Sequence, residues 1–143
     1  MDISEMKRIK LLLFEASNAK NASLVEGYIA DKIIWHEGCA GEYGSDVVFE
    51  LPKKDFIDRN ILNTGGFPRK KEIIHQIAED DKVYTLFTVE GNHSTGNCMG
   101  YPPTGKHIRY NAQYTARFEN GLIVEIWATM DGHYVLKQLG IIK

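Results

Sequence analysis

Polar side chains alternate along two β-rich segments near the C-terminus, and this row is the first candidate for chemistry. The row consists of Gln113, Thr115, Arg117, Ile123, Glu125 and Trp127, with Asp131 in phase just beyond it. Successive residues of a strand point to opposite faces, so the row occupies one face of the expected sheet, and the other face is apolar or aromatic. A mixed polar row with a tryptophan could line a wet pocket, and it could equally be the solvated face. The pattern leaves both interpretations open.

The turn between these segments determines which residues face one another. The Asn-Gly pair at 120–121, between two β-rich runs, is a strong hairpin signal. A three-residue loop with a bulge would place Gln113 opposite Trp127. Since neighbouring residues point opposite ways, Gln113 and Tyr114 cannot both line one pocket, and this register favours Gln113.

The segment Gly100–His107 almost matches the phosphate-binding P-loop, yet it lacks the chemistry of one. His107 stands where the motif needs a hydroxyl for magnesium. Pro102 and Pro103 have no N–H groups to donate to phosphate, and the chain continues as a strand rather than a helix. We therefore interpret the segment as a proline-shaped connection between two strands.

Histidines and cysteines offer further candidates for metal binding or catalysis. His36, Cys39, His93 and Cys98 are present, but their spacings match no zinc motif, and no G-x-S-x-G nucleophile elbow occurs. His36 follows an apolar and aromatic strand, where a hydrogen-bonded structural histidine is usual. His93 ends a strand and precedes a loop, a place where functional residues often lie. We expect no metal site.

Bulk composition limits the classes of function. The chain has 143 residues, a net charge of −2 and 43% hydrophobic residues, values that fit one globular domain, residues 1–143. There is no basic stripe for nucleic acid, and no apolar run is long enough for a membrane span. The N-terminal apolar run, Leu11–Phe14, is too short for a signal peptide. We therefore expect a cytoplasmic protein with no nucleic-acid or membrane partner.

Helical spacing gives way to strands along the chain, which indicates an α+β fold. The first helix has an apolar stripe at Met6, Ile9, Leu13 and Ala16. The predicted elements are helices near residues 2–17, 23–30 and 53–63, a strand at Lys32–His36, a loop at Glu37–Gly44, strands at Lys71–Ala78, Lys82–His93, His107–Phe118 and Leu122–Thr129, and a short helix at Asp131–Leu139.

Several strings occur in the order found in one family. They are Trp35-His36-Glu37, the stretch Glu90–Gly96 (EGNHSTG), the stretch Met99–Lys106 (MGYPPTGK), the stretch Arg117–Trp127 (RFENGLIVEIW), and Asp131 followed by Gln138-Leu139-Gly140. Together they resemble the SnoaL-like polyketide cyclases over about residues 30–142. The resemblance implies the NTF2-like cone, in which a curved antiparallel sheet wraps around helices and encloses one deep pocket.

Family membership would also imply chemistry. The resemblance implies ring closure by intramolecular aldol condensation without metal or organic cofactor, with Asp131 as the acid–base residue. The other pocket positions of the family fall on His36, Gln113 and Thr115. A carboxylate against Trp127 would be poorly solvated, and its pKa would rise towards neutrality.

These features lead to one candidate site and one alternative function. We expect Asp131, His36 and Gln113 to be catalytic. The residues expected to bind substrate are Trp35, Trp127, Thr115, His93 and Tyr114. The expected ligand is a small hydrophobic or polycyclic molecule that contains a carbonyl group, and the expected assembly is a homodimer through the outer sheet face. A non-catalytic ligand-binding or scaffold domain is the alternative, because one fold hosts many functions.

Overall fold

The structure is a computed structural model that describes residues 1–38, 47–62 and 67–143. The elements in chain order are α1 (Ile3–Ala19), 3-10 turns at Ala22–Leu24 and Glu26–Tyr28, β1 (Ile29–Glu37), β2 (Val47–Pro52), α2 (Lys53–Ile57) with a π turn (Asp58–Leu62), β3 (Arg69–Glu79), β4 (Lys82–Asn92), β5 (His107–Glu119), β6 (Leu122–Met130) and α3 (Gly132–Gln138). Most of the predicted Glu37–Gly44 loop lies outside the described residues, as does Cys39.

Six strands form one sheet in the order β2-β1-β6-β5-β4-β3, and α1 packs against β3 and β4. Every neighbouring pair is antiparallel except β1 and β6, which run parallel. The α+β prediction is confirmed. Strand β2 was missed, and the second predicted helix is two short 3-10 turns that lead into β1.

Helix α1 forms where its apolar stripe predicts it, and both of its ends are capped. The Asp2 side chain accepts a hydrogen bond of 2.8 Å from the Glu5 N–H, and Lys20 ends the helix in the left-handed conformation. The predicted stripe is buried, but Lys10 is buried on the same helix, with 0% exposure. Burying a lysine without a nearby acid lowers the free energy of unfolding. Packing of the helix alone therefore does not account for Lys10.

The β5–β6 hairpin has a tighter turn than predicted. Asn120 and Gly121 both have positive φ (52° and 80°), and they form a two-residue turn closed by Glu119 and Leu122. An irregularity after Arg117 then shifts the pairing. Beyond it, Thr115 faces Trp127 and Gln113 faces Thr129.

The predicted partnership of Gln113 with Trp127 is therefore wrong by two residues. A two-residue shift leaves each side chain of β5 on its original face, so the separation of the polar row from the apolar row remains. The exception is Ile123, which the irregularity moves out of the polar row to pair with Phe118 in the core, at 0% exposure.

The first residues of β3 approach β4 unusually closely at Gly91. A Cβ atom at Gly91 would lie 2.4 Å from the Pro68 carbonyl oxygen and 3.1 Å from the Arg69 Cα atom. Only glycine leaves room for this approach. The contact fixes the start of β3, which carries two of the charged residues described next.

Candidate functional site

The polar row of β5 and β6 lies on the outer face of the sheet. Gln113 is exposed, while its neighbour Tyr114 points to the opposite face. His36 joins this outer row, with its ring stacked on Trp127 (centroids 4.7 Å apart) and its Nε2 2.6 Å from Glu125. These side chains do not line the inner cavity described below, because they lie on the opposite face of the sheet from Tyr114. The expected homodimer through this outer face stays a prediction.

Thr115, a further predicted substrate-binding residue, shares this outer face. It lies opposite Trp127 in the β5–β6 pairing and in register with Tyr84 of β4. It is therefore separated by the sheet from the aromatic face that Tyr114 occupies.

Asp131 caps α3 instead of pointing into a cavity. Its side chain is exposed, and Oδ1 accepts a hydrogen bond of 3.0 Å from the Tyr134 N–H. This exposed, amide-bonded carboxylate does not have the poorly solvated setting that was expected of a catalytic acid. Asp131 is also not among the described residues that line the cavity below.

We predict that Asp131→Ala lowers the free energy of unfolding by about 1 kcal/mol, because the cap is lost. Asp131→Asn should stay within about 0.5 kcal/mol of the wild type, since an amide oxygen can still accept the Tyr134 N–H bond. Urea denaturation measures both values. Equal destabilisation by the two substitutions would show that the carboxylate does more than cap the helix.

His93 is a structural residue of the connection between β4 and β5. It is fully buried, the Thr104 N–H donates to its Nδ1 at 3.2 Å, and its Nε2 lies 3.0 Å from the Gly96 carbonyl oxygen. This arrangement requires the proton on Nε2. Both ring nitrogens are thus engaged within the loop, and the expected binding role has no support from the geometry.

A cavity of about 140 Å³ opens on the inner face of the sheet. Its described lining residues are Trp35, Glu37, Arg59, Asn60, Arg69, Lys71, Phe87, Val89, Tyr110, Ala112, Tyr114, Ala128, Thr129 and Met130. Of the residues that the sequence predicted for the pocket, Trp35 and Tyr114 are present. Eight of these residues are aromatic or apolar and six are polar, and four of the polar ones are charged.

Glu37 supplies the carboxylate among these described lining residues. Its Oε2 accepts a hydrogen bond of 2.8 Å from the Trp35 indole N–H and one of 2.9 Å from Arg59. Trp35 and Glu37 are in phase on β1, so both face inward while His36 between them faces outward. The alternation of the string Trp35-His36-Glu37 was the signal that could have identified Glu37.

Arg69 and Lys71 bring two cations into the cavity from the start of β3. Arg69 donates from Nη1 to the Tyr110 hydroxyl at 3.0 Å, and its guanidinium lies 3.9 Å from the centroid of the Phe67 ring. Its Nε is buried without a hydrogen-bond partner in the described structure. Neither cation forms an ion pair with an acid among residues 1–38, 47–62 and 67–143.

The backbone of Lys71 is fixed by Asn18 of α1. The Asn18 side chain donates to the Lys71 carbonyl at 2.7 Å and accepts from the Lys71 N–H at 2.8 Å. The side chain of Lys71 is 8% exposed. Burial, and secondly the charge of Arg69, lower the pKa of Lys71 to about 7.

Lys10 lies beside this cavity, against the ring of Tyr114. Its Nζ is 5.3 Å from the Tyr114 centroid and 5.4 Å from that of Phe14, and it has no hydrogen-bond partner in the described part of the chain. Burial, and secondly the charge of Lys71, lower the pKa of Lys10 to about 7. Burial is also the main cause that raises the pKa of Tyr114 well above its usual value, so its hydroxyl stays neutral.

The described residues also bear on metal binding and on membrane insertion. They contain no group of three or more His, Cys, Asp or Glu side chains that could hold a metal ion. No helix among them is long and apolar enough to cross a membrane.

The chain matches one known protein family over most of its length. A model of the SnoaL-like polyketide cyclase family matches residues 9–139. The chain belongs to this family. Among curated protein sequences, none matches it significantly. The family resemblance found in the sequence is therefore confirmed.

Solved structures of SnoaL-like and NTF2-like proteins share the fold. IdmH of Streptomyces antibioticus, a proposed polyketide cyclase, is 26% identical with a TM-score of 0.74, over 94% of this chain and 97% of that one. AclR of Streptomyces galilaeus, a proposed hydroxylase, is 24% identical with a TM-score of 0.77, over 99% and 89%. An NTF2-like protein of Burkholderia thailandensis is 19% identical with a TM-score of 0.68, over 92% and 95%. The likeness to these structures confirms the NTF2-like fold.

Proposed function

We propose that this SnoaL-like protein is a cofactor-independent enzyme that moves a proton beside a carbonyl group of a small molecule. The reaction class is aldol-type ring closure or a related isomerisation. One observation carries the proposal: a carboxylate, Glu37, shares an aromatic-walled cavity with two cations, Arg69 and Lys71, that have no acidic partner among the described residues.

The roles follow from what each group can donate or accept. Removing a proton beside a carbonyl needs a base, and Glu37 is the carboxylate among the described lining residues. Its Oε2 is held by Trp35 and Arg59, while Oε1 has no hydrogen bond within the described chain.

The negative charge that develops on the carbonyl oxygen needs a donor in a dry site. Arg69 and the Tyr110 hydroxyl, joined at 3.0 Å, supply such donors inside the cavity. Charge stabilisation by fixed donors is commonly worth about 100-fold or more in rate. Base and donors together stabilise an enolate without a metal ion.

Cavity size limits the part of the substrate that is enclosed. An apolar cavity of about 150 Å³ holds one benzene molecule, and this cavity measures about 140 Å³. We therefore propose a substrate no larger than one six-membered ring, or a larger one whose reacting end alone enters. The polycyclic substrate expected from the sequence fits only in the second form.

Exchange of carbonyl-adjacent protons tests the proposal without the natural substrate. Cyclohexanone has the right size, and NMR in deuterated water follows the loss of its α-proton signals. We expect catalysed exchange by the wild type and a decrease of at least roughly tenfold in Ala112→Leu, which fills the cavity from β5. Ala19→Leu, on the exposed side of α1, is the matched control.

Two results would contradict the proposed enzyme. If exchange with the protein is no faster than exchange in buffer, the alternative function, a non-catalytic domain that binds a small ligand, is favoured. Exchange that is equally fast in Ala112→Leu would place the chemistry outside this cavity.

A further inference from the structure

Lys71 differs from the other charged residues of the cavity lining because its amine, when uncharged, can act as a nucleophile. The side chain is more than nine-tenths buried, lines the cavity, and forms no hydrogen bond or ion pair with the described residues. Its Nζ lies 5.9 Å from the centroid of the Tyr114 ring. The Asn18 side chain forms hydrogen bonds with both the N–H and the carbonyl group of Lys71. These bonds hold the Cα atom of Lys71, and with it the start of the side chain, in place.

The surroundings of Lys71 disfavour the ammonium ion. The neighbouring lining groups are Arg69, Asn60 and aromatic rings, and Lys10 adds a second amine behind Tyr114. An amine that is desolvated and placed next to other cations becomes a nucleophile near neutral pH. The only described acid of the lining, Glu37, is already paired with Arg59.

We propose that Lys71 is a nucleophilic amine that forms a covalent imine with a small ketone or aldehyde in this cavity. The inference rests on the proposed function, because it requires a carbonyl substrate. It goes further by replacing the enolate with an enamine, and it makes Lys71 a catalytic residue.

The covalent steps balance without an oxidant or a reductant. The Lys71 nitrogen lone pair forms a C–N bond to the carbonyl carbon. The oxygen takes one proton from that nitrogen and one from solvent and leaves as water, which gives an iminium ion. Glu37 removes the neighbouring C–H proton, and the C–H electron pair forms the enamine. The enamine carbon forms a C–C bond to a second carbonyl of the same molecule, whose oxygen takes the proton held by Glu37, and the iminium ion forms again. Water then adds to the iminium carbon, and the C–N bond breaks, which releases the product carbonyl and the Lys71 amine and returns one proton to solvent.

Selectivity for Lys71 over surface lysines follows from the neutral fraction. With a pKa of about 7, roughly half of Lys71 is uncharged at neutral pH. An ordinary lysine, with a pKa near 10.4, is uncharged in roughly one molecule in a thousand or fewer. The reactive fraction of Lys71 thus exceeds that of an exposed lysine by roughly a thousandfold.

Reductive trapping tests the imine directly. The full chain is incubated with cyclohexanone and cyanoborohydride, which delivers hydride to an iminium carbon and leaves a stable secondary amine. Intact mass and peptide mapping then locate the adduct. We expect one adduct per chain at neutral pH, at least roughly tenfold more on Lys71 than on any other lysine, and labelling that rises with pH through about 7.

Two variants test whether the trapped adduct requires the Lys71 amine. Lys71→Arg keeps the charge and removes the nucleophile, so labelling should disappear. Lys70→Arg changes the exposed neighbour on the opposite face and should label like the wild type. If Lys71→Arg does not fold, Lys71→Met serves in its place, and the mapping in the wild type decides in either case.

The outcomes separate this inference from the proposed function. Adducts spread over surface lysines, an adduct on Lys10, or no adduct would overturn the imine. If α-proton exchange nevertheless occurs and depends on the cavity, the acid–base proposal stands alone. Trapping on Lys71 without any exchange would support the amine site and overturn the proposed catalysis.

Discussion

Glu37→Gln is expected to slow α-proton exchange of cyclohexanone by roughly 100-fold or more, the usual contribution of a general base. Glutamine has nearly the same shape, and its amide oxygen can still accept the bonds from Trp35 and Arg59. It cannot take up a proton at neutral pH. The rate measured by NMR in deuterated water should therefore fall while the urea denaturation curve changes little.

Glu50→Gln provides the matched control for this prediction. Glu50 is an exposed residue of β2 whose nearest cation, Lys32, is 4.0 Å away, and its substitution removes the same charge. We expect wild-type exchange from this control. A wild-type rate in Glu37→Gln would exclude Glu37 as the base and leave the uncharged Lys71 amine as the proton acceptor.

Lys10→Met is expected to raise the free energy of unfolding at pH 7 by roughly 2–4 kcal/mol. Lys10 is fully buried, its Nζ has no hydrogen-bond partner among the described residues, and its pKa falls to about 7. Each unit by which folding lowers the pKa costs about 1.4 kcal/mol at a pH where the unfolded chain is charged. Methionine keeps the unbranched shape and removes this cost.

The same shifts predict how stability depends on pH. Lys10 and Lys71 have pKa values of about 7 in the folded chain and near 10.4 when unfolded. Between these values the unfolded chain binds more protons, so the stability of the wild type should rise as the pH increases through this window. Below about pH 7 both states are protonated, and the two lysines should add no further slope.

Urea denaturation from about pH 6 to about pH 9 measures this slope. Lys10→Met should remove about half of the rise and leave the part due to Lys71. Lys7→Met, on the same helix but not buried, should leave the slope unchanged. A less stable Lys10→Met variant, or an unchanged slope, would show that Lys10 makes a favourable interaction in the folded state.

A buried amine that lowers the free energy of unfolding is typical of residues that are kept because the function needs them. Lys10 lies behind Tyr114 and next to Lys71, whose charge contributes to the lowered pKa of Lys10. If Lys10→Met is more stable and loses exchange activity, the destabilising amine belongs to the working site.

The sequence by itself determined the fold and the family. The stripe Met6-Ile9-Leu13-Ala16 and the Asn-Gly turn are local signals, and local signals depend on spacing along one segment. The strings from Trp35 to Gln138 identified the family before any contact was known. The separation of polar and aromatic rows along β5 also followed from alternation alone.

Only the tertiary structure decided which of those rows faces the cavity. Alternation separates two faces of a strand, but the choice between them depends on what covers the sheet, and here α1 covers the Tyr114 face. His36, Gln113, Thr115 and Trp127 are outside for that reason. Asp131 was expected to be catalytic, and the hydrogen bond that it accepts from the Tyr134 N–H makes it the cap of α3.

The charged residues in and beside the cavity could not be predicted from the sequence, for a second physical reason. Lys10, Glu37, Arg59, Arg69 and Lys71 lie on four different elements, and each looks like an ordinary surface charge in its own segment. Burial of the two lysines, repulsion of Lys71 by Arg69 and repulsion of Lys10 by Lys71 arise only once the elements pack. Desolvation and nearby charge, rather than residue type, turn Lys71 into a reactive amine.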